Sequence, residues 1–268
     1  YKVWGVAYSM VYKPDTWQVK LADIAECGVG YACLFTRIFR DLLNIDADFA
    51  AGYSMGEVSM FAALDCWQNP RQMSTRLANS PLFTEQLSGE LKTLRSLWEL
   101  PASAQGGETL LWESYNIKGT VSEVKRAIRD SERVYITLIN TPDSLVIAGY
   151  PADCLAVAKR LAVRPMALNV HNAIHSEPAY QHYQQMIELY SMALAPRIPS
   201  KLYSSSCYLP VAFNQKAIDV SIAKCLCEPV DFPRLINTLL AEQASLFIEM
   251  GAGSSLCAWT EKILAAND

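Results

Sequence analysis

The sequence predicts an α/β fold in which a mainly parallel sheet carries helices on both faces and a small ferredoxin-like subdomain is inserted into it. Three observations predict this. Helical 3.6-residue periods alternate with short apolar runs in both outer parts of the chain. A block between them has a different rhythm and reads β-α-β-β-α-β. A Gly-bounded turn joins one of the short runs directly to a helix. The expected boundaries are residues 1–108 and 171–268 for the large, hydrolase-like parallel-sheet subdomain and residues 109–170 for the small one.

Bulk properties agree. A chain of 268 residues is long enough for one ordinary α/β unit plus an insertion. Apolar residues make up 51% and charged residues 19%, a globular balance. The net charge is −4 and no Lys/Arg run forms a polyanion groove, so no nucleic-acid partner is expected. No stretch of about 18 apolar residues exists to span a membrane. No basic, apolar and small-residue series marks a signal peptide, and a cytoplasmic location is expected. The chain starts at Tyr1, as a mature product or an excised piece would. The eight cysteines lie mostly in apolar runs and read as reduced core thiols. Cys225 and Cys227 are the one close pair, and without CxxC or Cys/His ligand spacing no metal site is expected.

The elements follow in order. Residues Leu21 to Leu43 read as a long helix, with Ile24, Cys27, Tyr31, Leu34, Phe35, Ile38 and Leu42 near the helical period. A short run from Asp48 ends at Gly52. From Gly56 a helix returns, and Pro70 after Asn69 begins another. Residues Ser103 to Glu108 read as a loop. The small block then has strands at Leu110–Tyr115, Val134–Ile139, Ser144–Ala148 and Pro165–Val170, with helices at Val121–Asp130 and Ala152–Leu161. Beyond it come a helix at Pro178–Ala193, a strand at Lys201–Ser205 and helices at Ala217–Cys225 and Phe232–Ala241. A strand at Leu246–Met250 and a helix at Ser255–Leu264 complete the chain. The one low-complexity patch is Ser204-Ser205-Ser206.

Gly52-Tyr53-Ser54-Met55-Gly56 is a GxSxG sequence between a short strand and a helix. In that context the glycines permit a sharp turn that lifts the serine hydroxyl to the helix N-terminus. There the backbone N–H of Met55 faces the negative charge that develops on a substrate carbonyl. A serine nucleophile needs a base, and the chain has three histidines, 171, 175 and 182. His175 follows the last strand of the small block, at an exit facing a cleft between the two parts. His171, near the strand end, reads equally as a strand-end or surface residue and as a site residue. His182, within Tyr180-Gln181-His182-Tyr183, reads as solvent-facing. An α/β-hydrolase places its base late in the chain. No histidine follows His182, which weakens an esterase or thioesterase reading.

Five separated motifs then resemble a family. They are Gly52-Tyr53-Ser54-Met55-Gly56-Glu57, Asn140 to Gly149, Ile174-His175-Ser176, Cys227 to Phe232, and Phe247 to Gly253. In this order they resemble malonyl-CoA:acyl-carrier-protein transacylases and the acyltransferase domains of polyketide and fatty acid synthases. Ser80-Pro81-Leu82-Phe83 and Ala173 to Pro178 look closest to the acyltransferase domain of polyunsaturated fatty acid synthases. The resemblance implies a Ser54–His175 dyad whose imidazole is held by a backbone carbonyl. It implies ping-pong transfer of an acyl group from acyl-CoA, a substrate and not a resident cofactor, to the phosphopantetheine thiol of an acyl carrier protein. Other domains of a multidomain synthase are the further partners implied, and substrate-binding roles fall on Asn79, Arg76, Asn140 and Cys225. Glu57, in the first helical turn, suits capping and the helix dipole as well as an acid role.

Three departures stand out. Residues 1–20 contain no Gly-Gln-Gly-Ser-Gln segment, the family's source of a second oxyanion donor. Cys225 replaces a customary Gln. Asn79 falls where the family carries the Arg that receives a malonyl carboxylate, with Arg76 one helical turn earlier. Asn79 therefore favours an uncharged acyl group over malonyl. The alternative from another class is a non-catalytic docking domain of a synthase.

Overall fold

The computed structural model describes residues 21–101, 110–196 and 200–267. The expected loop at 103–108 and the segment 1–20 lie outside them. The first helix, α1 (Leu21–Arg37), continues into a wider π-type turn over Ile38–Leu42. Strand β1 (Phe49–Ala51) leads through Gly52 to Ser54 into helix α2 (Met55–Ala63). Helices α3 (Gln72–Ala78) and α4 (Lys92–Leu97) follow.

The inserted block is a βαββαβ unit. Strand β2 (Glu113–Lys118) is followed by α5 (Val121–Ala127), β3 (Val134–Thr141), β4 (Ser144–Gly149), α6 (Pro151–Arg160) and β5 (Met166–Ala167). Thr120 caps α5 in a reciprocal capping box with Glu123, satisfying N-terminal backbone donors that the helix cannot pair itself. The sheet order is β5-β2-β4-β3-β7, where β7 (Val230–Asp231) comes from the C-terminal part and runs parallel to β3. Ile117, Val124, Leu145, Ile147, Cys154 and Val157 form a core of this unit's own.

The C-terminal part contributes a 3₁₀ turn (Glu177–His182), α7 (Tyr183–Tyr190), β6 (Lys201–Tyr203) and α8 (Gln215–Cys227). Helix α9 (Phe232–Ala241) and helix α10 (Ser255–Asn267) complete it. Asp231 caps α9 by accepting from Arg234 N–H, and Pro233 sits in its first turn, where no N–H is required. Strand β6 pairs parallel with β1, Ala50 opposite Leu202, so the strand leading to Ser54 is fixed by chain far downstream.

The sequence expectations differ in detail. The first strand of the small block starts at Glu113, not Leu110, because its register is set by pairing Tyr115 with Ile147. The helix expected at 178–193 begins as a 3₁₀ turn and stops at Tyr190. Residues 246–250 are in no strand: among the described residues they have no ladder partner, and Leu246 is 77% exposed. A parallel ladder in the large part is therefore seen, among the described residues, only between β1 and β6.

Candidate active site

The turn at Ser54 is strained in the way an exposed nucleophile requires. Ser54 has φ 56° and ψ −120°, outside the common regions, at a local cost on the order of 1–3 kcal/mol. Gly52 makes the turn possible. A Cβ there would lie 2.0 Å from the carbonyl carbon of Gly56 and 2.2 Å from Glu57 N, and both are backbone atoms. Gly56 differs: a Cβ at this position would meet nothing within 4 Å, so close packing does not demand the second glycine. Met55 is the first residue of α2, where backbone N–H groups have no acceptor inside the helix.

His175 comes to Ser54 from across the chain. Its Nε2 lies 2.6 Å from Ser54 Oγ, and its Nδ1 lies 2.5 Å from the backbone carbonyl of Cys225. Because a carbonyl only accepts, Nδ1 carries the hydrogen and Nε2 presents its lone pair to the serine hydroxyl. The His175 N–H also donates to the Leu226 carbonyl at 2.7 Å, so ring and backbone are both anchored to the end of α8. Burial lowers the His175 pKa to about 4, against which the hydrogen bonds to the 225 and 228 backbone act. At neutral pH the imidazole is uncharged and able to accept a proton.

The other two histidines lie elsewhere. His171 is exposed, with Nδ1 3.0 Å from the Trp112 carbonyl. His182 is half-buried rather than solvent-facing: Nε2 lies 2.7 Å from Thr93 Oγ1 and Nδ1 2.9 Å from Gln185 Oε1. The tyrosine–histidine sequence reads as polar surface, and only the fold reveals that α4 covers one side of it.

The four residues with implied substrate roles are placed as follows. Arg76 donates to the Leu189 carbonyl at 3.0 Å and the Ser191 carbonyl at 2.7 Å, closing the end of α7. Asn79 is exposed and its amide folds back onto the Thr75 carbonyl, 2.9 Å away. Asn140 is buried at the end of β3 and accepts from the Tyr53 hydroxyl at 2.5 Å, bridging the small sheet and the residue beside Ser54. Cys225 is buried. Its carbonyl faces His175, while its thiol, whose pKa burial pushes well up, lies 3.7 Å from the Ser54 carbonyl. Sequence reasoning gives Tyr53 no role and leaves Glu57 between an acid role and capping of its own helix, because the partners of both come from distant segments.

Among the described residues no group of three or more His, Cys, Asp or Glu could hold a metal ion, and no helix is long and apolar enough to cross a membrane. The arrangement is a buried, neutral imidazole on a serine hydroxyl at a helix N-terminus, suited to nucleophilic attack on an acyl carbonyl.

No family model matches the chain. It is 28% identical over 248 residues to one of the subunits of a polyunsaturated fatty acid synthase from Thraustochytrium sp., covering 85% of this chain and 12% of that protein. It is 24% identical over 228 residues to a malonyl CoA-acyl carrier protein transacylase from Bacillus subtilis, covering 82% of this chain and 66% of that one. The crystal structure of a malonyl CoA-acyl carrier protein transacylase from Burkholderia pseudomallei superposes with a TM-score of 0.75 at 21% identity, over 98% of this chain and 87% of that one. The chain thus spans a small part of the first relative and just under two thirds of the second. In sequence it resembles the malonyl-CoA:acyl-carrier-protein transacylases and synthase acyltransferases, and it has the α/β fold of their solved members.

Proposed function

We propose that the chain transfers an acyl group from acyl-CoA to the phosphopantetheine thiol of an acyl carrier protein through an acyl-Ser54 intermediate. The observation that carries the reading is the 2.6 Å contact from Ser54 Oγ to His175 Nε2, with the ring's other nitrogen on the Cys225 carbonyl. In the first half, Ser54 Oγ attacks the thioester carbonyl while its proton moves to His175 Nε2. The tetrahedral oxyanion forms beside the Met55 N–H. As the carbonyl re-forms, the carbon–sulfur bond breaks and the leaving thiolate takes the proton from His175. In the second half the carrier thiol gives its proton to His175, attacks the acyl-Ser54 ester, and the proton returns to Ser54 Oγ. Every proton taken is given back, so the dyad is regenerated without a carboxylate as a third member. The names of the two relatives, a fatty acid synthase component and an acyl-carrier-protein transacylase, favour a carrier protein as acceptor.

The acyl group is an uncharged one. A malonyl carboxylate entering a partly buried cleft needs a cation, and Arg provides it with a bidentate fork. Asn79 carries no charge, and the Arg76 guanidinium already donates to two backbone carbonyls. The Bacillus subtilis relative is named for malonyl transfer, so this is the point at which the two proteins would part. Intact-protein mass after incubation with acetyl-, longer-chain and malonyl-CoA side by side is the test. Loading of Ser54 by acetyl or a longer acyl above malonyl is expected. A malonyl preference would overturn the substrate assignment, and no loading from any thioester would overturn the transferase reading.

A further inference from the structure

The two halves of the dyad stand on different helices. Ser54 is the N-cap of α2, whereas the carbonyl that holds His175 belongs to the last turn of α8. Something must hold α2 and α8 in register for the 2.6 Å contact to persist, and the groups that bridge them converge on Glu57.

Glu57 lies one turn beyond Ser54, yet it does not face solvent as a first-turn acidic residue ordinarily would; it is 0% exposed. The segment Ser204 to Ser206, a low-complexity patch in sequence, wraps the carboxyl. Ser205 N–H donates to Oε2 at 2.8 Å, the Ser205 hydroxyl donates to the same oxygen, and Ser204 Oγ stands 3.5 Å from Oε1. Ser221, in the middle of α8, donates its hydroxyl to Oε1. Ser205 Oγ also stands 3.3 Å from Cys225 Sγ, whose thiol points to the Ser54 carbonyl. A chain of polar contacts therefore runs from Glu57 through Ser205 and Cys225 back to the backbone of Ser54. Ser206 adds a brace, its hydroxyl donating to the Ser221 carbonyl at 3.3 Å.

Among the described residues no cation takes part in these contacts. A fully buried carboxyl served by neutral donors is costly unless each of its oxygens is satisfied, and removing one donor leaves a buried group without a partner. Its retention beside the nucleophile, where an apolar side chain could fill the same space, calls for a role that packing alone does not provide. Burial raises the Glu57 pKa, in keeping with a group that works by hydrogen bonding rather than as a counter-ion.

We propose that Glu57 is a positioning residue for the dyad: through Ser205, Ser221 and Cys225 it locks the N-terminus of α2 to the last turns of α8, fixing Ser54 Oγ against His175 Nε2. This rests on Ser54 and His175 acting as nucleophile and base. The test uses a small fluorophosphonate, which reads the reactivity of Ser54 without requiring the right thioester or carrier. Labelling rates are measured from pH 3 to 8 for the unmodified chain, Glu57→Gln, Ser221→Ala and Ser221→Thr, with thermal melts alongside.

Glu57→Gln replaces one of the two accepting oxygens with an NH2, so the donors of Ser205 and Ser221 can no longer both be accepted, and Ser221→Ala removes the tie to α8. Both are expected to slow labelling at least tenfold. Both should also move the midpoint of its pH profile upward from near 4 toward 6.5, since a loosened imidazole regains water. Ser221→Thr, which keeps the hydroxyl, should return rate and midpoint toward those of the unmodified chain. The proposal is overturned if the rate and midpoint are unchanged in Ser221→Ala, or if the rate falls only in step with melting temperature at a fixed midpoint. Should Glu57→Gln not fold, the two Ser221 variants decide alone. An unmodified chain that labels but accepts no acyl group from any thioester refutes the transferase reading and leaves this inference standing. One that does not label refutes the inference.

Discussion

The small sheet and the turn at Ser54 are stabilised by opposite strategies. In the small unit the strands pair with neighbours along ladders, six unbroken residue pairs joining β2 to β4 and a ladder with two register shifts joining β3 to β4, and the apolar core lies within a short stretch of chain. Around Ser54 almost nothing is local. Its base is 121 residues away, the donors to Glu57 are 147 to 164 residues away, and β1 is held by β6. Regular structure gives the first region its stability. The second stores strain at Ser54 and His175, both at φ 56°, and is fixed by single contacts from many directions, which is how a site exposes a reactive group without letting it move. The difference teaches that damage should separate: core changes in the small unit should cost stability, while changes near Ser54 should cost chemistry.

The largest effect is expected from Ser54→Ala, which should abolish covalent acyl loading while circular dichroism and melting stay near those of the unmodified chain. Full loading of this variant by intact mass would remove Ser54 from the nucleophile role. His175→Ala should lower transfer by about two to four powers of ten, the usual worth of a positioned general base, with His171→Ala and His182→Ala falling far short. A ranking led by His171 would move the base out of the buried site.

On the other side of the comparison, Ile147→Ala in the small core should destabilise folding by about 2–5 kcal/mol in urea melts. Fluorophosphonate labelling of the folded fraction should change less than twofold. A large loss of labelling would show that the two regions are coupled more tightly than their separate cores suggest. Tyr53→Phe probes the bridge between them. Losing the hydroxyl that donates to Asn140 should cost about 1 kcal/mol of stability and a few-fold in transfer rate.

Acid should also discriminate. The folded His175 pKa, about 4, lies below its unfolded value near 6.5, so its contribution to stability is complete above 6.5 and is lost as pH falls toward 4. Glu57 works in the other direction: its folded pKa is raised, so its contribution is complete below the ordinary carboxylate range and declines as pH rises through the folded value. Urea stability measured from pH 7 to 4 should therefore fall less steeply in His175→Gln than in the unmodified chain. Equal slopes would mean that the imidazole is not buried in solution.

Legibility in the sequence follows the same division. The helix at Phe232–Ala241 is readable to the residue because Asp231 and Pro233 mark its start locally. The start of the helix after Thr120 is readable for the same reason. Strand β2 is misplaced by three residues, since its ends depend on β4 and not on its own apolar pattern. The strand expected at 246–250 fails because a short apolar run becomes a strand only where a partner edge meets it, and none does among the described residues. At the site, GxSxG and a short supply of histidines make Ser54 and His175 visible. The setting of Glu57 is hidden, because an acidic residue in a first turn looks the same on a wet or a dry face. The engagement of Arg76 is hidden too, since its partners are carbonyls, which every residue has.

That last property bears on how such a dyad endures. The group that orients His175 is the carbonyl of residue 225, and the genetic code holds no codon that deletes a carbonyl. Inherited change at this position can alter the thiol and what surrounds it, but the acceptor itself passes unaltered through any substitution that preserves the path of α8. A dyad oriented by main chain thus has one fewer side chain to lose by drift than a triad, and its vulnerability shifts from the identity of a residue to the placement of a helix.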